Sequence, residues 1–152
     1  MQARMTNPAV LIPAAMKGLY AYGTAADDLG VPATTLAMTH LRASQINGCS
    51  VCVEIHANEL KKAGETDERI FAVAAWQDAP YFTEAERAAL ALTEAVTRIA
   101  DRSDAVSDEI WAEAGRHYDE QGLAALLIAI SAVNVWNRLN VATRQVAGEW
   151  KP

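Results

Sequence analysis

The run Leu123-Ala124-Ala125-Leu126-Leu127-Ile128-Ala129-Ile130 does most to limit how this chain can fold. Wound at about 100° per residue, it is apolar on every side. A helix without a polar face belongs at the centre of a fold or in a subunit interface. The run opens the longest helix the sequence predicts, from about Gln121 to Val146, and the rest of the chain must supply the elements that wrap it. Composition says those elements are helices too. Hydrophobic residues, many of them alanine, make up 51% of the 152 residues, charged residues 21% and aromatics only 7%. Such a chain favours helix, and no alternating strand pattern competes.

Start and stop signals divide the chain. Asn7-Pro8 starts a first helix whose apolar face carries Val10, Leu11, Ala14, Met16, Leu19 and Tyr20, running to about Asp28 and stopped by Gly30. Pro32 opens a second, roughly Ala33 to Gln45, ended by Asn47-Gly48. A third begins at Cys49 and runs to about Ala63, capped by Gly64, with Glu59, Lys61 and Lys62 on its outer face. Thr66-Asp67-Glu68 starts a fourth with Ile70, Phe71, Val73 and Ala74 inward. Thr83 and Glu86 form a capping box for a fifth, Glu84 to about Ala100, with Leu90, Ala91, Ala95, Val96 and Ile99 inward. Ser107-Asp108-Glu109 opens a sixth, ending near Tyr118. The expectation is one all-α domain over residues 1–152, a bundle of about six to seven helices.

Charge and hydropathy narrow the function classes. The net charge of −6 and isoelectric point near 5.0 argue against nucleic acid as partner. The most apolar stretch, Leu123 to Val135, is interrupted by Ser131 and Asn134 and falls short of the roughly 20 residues a membrane span needs. No signal-peptide pattern opens the chain. A cytoplasmic protein with no membrane partner is expected.

Both cysteines lie in Cys49-Ser50-Val51-Cys52-Val53-Glu54-Ile55-His56. In a helix, this C-x-x-C-x-x-x-H spacing puts Cys49, Cys52 and His56 on one stripe. A helix start lowers a thiol pKa, and an imidazole four residues on from Cys52 can take its proton. An attacking cysteine, a resolving cysteine and a base suffice to reduce a peroxide: sulfenic acid forms first, then a disulfide, which an external dithiol must reduce. Two other readings stand beside this one. The cysteines can be small buried residues at a helix start, or Cys49, Cys52 and His56 can be three metal ligands with His40 or His117 as a fourth.

The stretch Leu41-Arg42-Ala43-Ser44-Gln45-Ile46-Asn47-Gly48-Cys49-Ser50-Val51-Cys52, followed by His56, resembles the signature of AhpD-like proteins of the carboxymuconolactone decarboxylase superfamily. Phe82 to Leu92 is similar to that family's second conserved helix start, and Asn134 to Asn140 to its closing helix. The resemblance spans roughly residues 30 to 147. It implies an all-helical fold, homo-oligomers (trimers or hexamers) and alkylhydroperoxidase activity without a cofactor or metal. It implies that Cys52 is the peroxidatic cysteine, that Cys49 is its partner and proton donor, and that His56 belongs to the proton relay. A small-molecule hydroperoxide and an external dithiol or protein reductant would be the partners. Lactone decarboxylation is the other activity the superfamily suggests, but it needs no redox pair.

One position departs from the family pattern. Where the family's relay carries a glutamate, twelve residues before the first cysteine, this chain has Ala37, which neither accepts nor passes a proton. His40, three residues on and on the same helix face, is the candidate to fill that space; an ordinary partly buried histidine is the plain alternative. The missing glutamate also supports a non-enzyme reading, an oligomeric scaffold or stress protein with a degenerate site. Glu54 should point away from Cys52. His117 reads as a helix-end charge. Trp76, Trp111, Trp136 and Trp150 read as core or interface residues. Tyr20, Tyr81 and Phe82 are candidates for an apolar entrance. Asn134, Asn137 and Arg138 should fix helix packing or subunit contacts.

Overall fold

The computed structural model describes residues 1–149, so Trp150 lies outside the described residues. The regular structure there is all helical: α1 (Pro8–Leu11), α2 (Pro13–Thr24), α3 (Ala33–Asn47), α4 (Ser50–Lys62), α5 (Asp67–Ala72), α6 (Glu84–Thr97), α7 (Asp108–His117) and α8 (Glu120–Thr143). Short 3₁₀ turns follow α5 at Val73–Ala75 and α6 at Ile99–Asp101.

The α8 helix packs against α2, α3, α4, α6 and α7. Its Ala125, Leu126, Ala129 and Ile130 are buried with Leu36 of α3, Leu92 of α6 and Ala114 of α7. A second core cluster lies on the other side of α3, where Met38 and Leu41 meet Leu60, Ile70, Val73, Trp76, Phe82 and Leu90. Burying one such leucine is worth about 1.5–3 kcal/mol. At 24 residues, α8 is longer than the apolar stretch read from sequence, and by length and composition alone it could cross a bilayer. Here it is the bundle's centre. Its Asn134 and Asn137 both accept hydrogen bonds from Asn47 Nδ2 of α3, at 2.9 and 2.8 Å. Asn137 donates on to Ser44 Oγ at 3.0 Å, and Arg138 bonds the Asn134 carbonyl at 2.9 Å. Asn134 and Asn137 pin α8 to the end of α3, the packing role their sequence setting suggests, while Arg138 bonds within α8.

Three expectations are corrected. The first helix is two, because Pro13 has no N–H to give and its ring collides with the carbonyl four residues earlier. The residue before it, Ile12, is pushed to φ −119°, ψ 89°. The split brings the count to eight among the described residues, and the apolar face expected to be buried there is largely exposed, with Leu11 and Ile12 each at 56%. In the fourth expected helix, Phe71 is 75% exposed and Ala74 also faces out. Ile70 and Val73 are buried as expected, and Trp76 joins them, at the spacing of three that suits the 3₁₀ turn. Ile99 is also exposed, because α6 ends at Thr97 and the next turn leaves the bundle.

Two arginines tie helices of the bundle together. Arg42 of α3 holds Glu94 of α6 at 2.7 Å, and the indole N–H of Trp76 donates to the same carboxylate at 2.8 Å. Arg69 joins Glu65 and Glu86, each at 2.6 Å, and lies over the Phe82 ring.

Candidate active site

The corner between α3 and α4 sets the sulfurs. Gly48 turns left-handed at φ 69°, a conformation glycine reaches without steric cost. The next backbone N–H, that of Cys49, returns to the Ser44 carbonyl at 3.0 Å and closes α3. Cys49 is thereby the N-cap of α4 rather than part of its first turn, and its Sγ accepts the backbone N–H of Cys52 at 3.3 Å. The two cysteines form a disulfide, their Cα atoms 5.4 Å apart. Both are buried, with Val51 and Ile55 packed around them.

A cavity of about 410 Å³ opens at Cys52, walled by Tyr20, Ile55, His56, Glu59, Trp136 and Asn140. Tyr20 of α2 and Trp136 of α8 meet edge to face, 5.9 Å between centroids. The next cavity, about 320 Å³, is lined by Ala37, His40, His56 and Glu59 among others. Cys49 borders a third, of about 400 Å³, with Ser50, Asn140, Arg144 and Gln145. The disulfide thus lies between two openings.

One imidazole and one carboxylate line the Cys52 side. His56 Nδ1 is 2.7 Å from Glu59 Oε2. His40 faces His56, ring centroids 4.8 Å apart. Burial, and next the charge of His56, push the His40 pKa down to about 3, so the ring is neutral at pH 7. The hydrogen bond from His56 holds the Glu59 carboxyl below the usual carboxylate range. Cys52 also receives a hydrogen bond from Asn140 Nδ2 at 3.3 Å, and Asn140 Oδ1 accepts one from Asn7 Nδ2 at 2.7 Å.

Cys52 and His56 thus share one cavity, His56 and His40 share the next beside Ala37, and Cys49 borders the third. The structure adds three residues the sequence reading did not use. Glu59 does lie on the outer face, its side chain half-exposed, and its spacing of three from His56 also brings it to that ring. Asn140 had a weaker signal, the repeat of asparagine at 134, 137 and 140 along an apolar helix. Asn7 had only its N-cap pattern. Glu54 does point away, accepting the Gly148 N–H at 2.6 Å. His117 pairs with Glu113 at the end of α7. Of the three aromatics proposed for an entrance, Tyr20 lines the cavity, while Tyr81 is exposed and Phe82 is core. Trp136, read as core or interface, lines the cavity too. Among the described residues no group of three or more His, Cys, Asp or Glu is arranged to hold a metal ion.

The sequence model of the carboxymuconolactone decarboxylase family matches residues 13–95. The chain belongs to this family. Among its curated relatives is YdfG of Bacillus subtilis, an uncharacterized protein that is 37% identical over 109 residues, 72% of this chain and 73% of that protein. The crystal structure of ATU0492 from Agrobacterium tumefaciens, a protein of unknown function suggested to act in antioxidant defence as an AhpD, superposes with a TM-score of 0.89 at 31% identity. The match covers 98% of this chain and all of that one. The debrominase Bmp8, in complex with 2,3,4-tribromopyrrole, shares the fold at a TM-score of 0.77 and 20% identity, over 92% of this chain and 74% of its own. The fold of this carboxymuconolactone decarboxylase family member is AhpD-like, and its Cys-x-x-Cys disulfide is consistent with a redox function.

Proposed function

We propose that this protein is a thiol-dependent peroxidase that reduces organic hydroperoxides through the Cys49/Cys52 pair. The observation that carries the reading is the disulfide at the head of α4, whose Cys52 faces an aromatic-walled cavity holding His56 and Glu59. In the reduced protein the Cys52 thiolate attacks the terminal peroxide oxygen. An S–O bond forms, the O–O bond breaks, and the alkoxide leaves as alcohol after taking a proton from His56. The Cys49 thiolate then attacks the Cys52 sulfenic acid. The S–S bond forms, the S–O bond breaks, and hydroxide leaves as water by taking up the proton that the Cys49 thiol released. An external dithiol restores both thiols and is itself oxidised.

Glu59 is the positioning residue for His56 in this scheme, since a carboxylate on one ring nitrogen fixes the tautomer presented by the other. It supplies from α4 the charge that Ala37 cannot supply from α3, with neutral His40 packed behind. This arrangement favours an enzyme over the scaffold reading that Ala37 supports. The redox pair likewise favours peroxidase over lactone decarboxylase chemistry. A reducing cytoplasm suits the cycle. The bare apolar face of α1 and α2 supports a homo-oligomer, a trimer or hexamer.

The test follows peroxide loss and free thiols after pre-reduced protein meets an alkyl hydroperoxide. Wild type should consume peroxide and lose two thiols per chain. Cys52→Ser should consume none. Cys49→Ser should trap a sulfenic acid that reacts with a dimedone probe. Glu59→Gln should slow the reaction by roughly one to two orders of magnitude and move its pH profile. Peroxide loss that survives Cys52→Ser overturns the mechanism.

A further inference from the structure

A line of amides, rather than a histidine, ends on the Cys52 sulfur. The backbone N–H of Ala9 donates to Asn7 Oδ1 at 2.8 Å, Asn7 Nδ2 donates to Asn140 Oδ1 at 2.7 Å, and Asn140 Nδ2 donates to Cys52 Sγ at 3.3 Å. The direction of this line is forced from its start. A backbone N–H can only donate, so the oxygen of Asn7 must face it and its NH₂ must face onward. The same logic then turns the oxygen of Asn140 toward Asn7 and its NH₂ toward the sulfur. Both asparagines are buried, Asn7 at 2% and Asn140 at 4% exposure, which shields the line from solvent.

We propose that Asn140 is a catalytic residue whose side-chain N–H, aimed by Asn7, stabilises the Cys52 sulfur as a thiolate. The proposal rests on the dithiol reading above. Cys49 has its own support, the N-cap position of α4 and the Cys52 N–H. Cys52 is buried as well, packed with Val51 and Ile55, but lies past the cap position, and such surroundings disfavour a charged sulfur. A hydrogen bond to the ionised sulfur is the compensation, and such bonds are roughly twice as strong as neutral ones. The donor serves twice in the cycle. When a reductant thiolate attacks Cys49 Sγ, a mixed disulfide forms, the Cys49–Cys52 bond breaks, and its electron pair goes to Cys52 Sγ beside the waiting N–H. When peroxide arrives, the same contact keeps Cys52 ionised until its electron pair forms the S–O bond. Among the described residues, the titratable and charged groups lining the cavities at the pair are Tyr20 from α2, His56 and Glu59 on α4, Arg144 after α8, and the amino-terminal residue Met1.

The thiol titration of Cys52 tests this, read as the pH dependence of iodoacetamide alkylation in reduced protein carrying Cys49→Ser. Adding Asn140→Ala or Asn140→Asp should raise the apparent pKa by about one unit or more, a roughly tenfold loss of alkylation rate below that pKa. Asn7→Ala should raise it in the same direction by less, because the amide remains but is free to turn. An unchanged titration in a folded Asn140 variant overturns the proposal and leaves the amide a packing contact. If neither Asn140 variant folds, Asn7→Ala decides alone, and an unchanged pKa there overturns the aiming of the amide. No peroxide enters this measurement. A wild type that titrates as expected but consumes no peroxide would therefore defeat the peroxidase reading and leave Asn140 standing.

Discussion

His40 makes the site sensitive to acid. Its pKa is pushed from the ordinary 6.5 to about 3, by burial and then by His56. Between those values the unfolded chain binds a proton that the folded chain refuses. The stability tied to the neutral ring is therefore complete above about pH 6.5 and is lost as pH falls toward 3. Glu59 acts in the same sense, because its lowered carboxyl pKa adds stability above the carboxylate range that disappears below it. Urea melts followed by circular dichroism should give a lower midpoint at pH 4.5 than at pH 7, and His40→Gln should narrow the gap. A gap as wide in His40→Gln would mean that other groups set the acid limit. At this scale the sequence was legible along α4 and opaque across the bundle. The stripe of Cys49, Cys52 and His56 follows from helical geometry alone. Glu59 does lie on the solvated face with Lys61 and Lys62, and its spacing of three from His56 is the signal for its second contact. Asn140 lies 88 residues from Cys52, and helical periodicity says nothing about such a contact.

Among the elements, the corner between α3 and α4 does most for the site. Gly48 sits at φ 69° with nothing within 4 Å of where a Cβ would stand. Gly48→Ala therefore carries backbone strain without a clash, and should cost about 1–2 kcal/mol in a chemical denaturation curve. A loss far above that would mean that the corner tightens around the added methyl. The same substitution should slow alkylation of the reduced cysteines, since Cys49 caps α4 only while the turn holds. The corner was readable because Asn47-Gly48 is a strong local stop signal. The break at Pro13 was written in the chain as well, and the apolar run on either side of it masked it. That run, Val10 to Ile12, has the look of a buried face but is left bare by this chain. Hydropathy alone does not tell a face that packs inside its own chain from one that this chain leaves open.

Over the whole molecule, α1 and α2 expose Val10, Leu11, Ile12, Tyr20 and Tyr22, and α8 adds Val135 and Val141. Exposed apolar side chains gathered on neighbouring elements mark interaction surfaces. Light scattering after size exclusion should give a mass that is a multiple of the 16.4 kDa chain, and Leu11→Glu with Ile12→Glu should shift it toward the monomer. A wild-type monomer at micromolar concentration would defeat the oligomer proposal. The fold itself was legible at this scale, because one all-apolar helix leaves few arrangements besides a bundle around it. The bridge between Cys49 and Cys52 has a different bearing on the whole. It joins residues only three apart, and the restraint a crosslink puts on an unfolded chain grows with the loop it closes. This one fastens no distant parts together. The bundle stands on its core and its asparagine ties, like a casing that keeps its shape whether the cell inside is charged or spent.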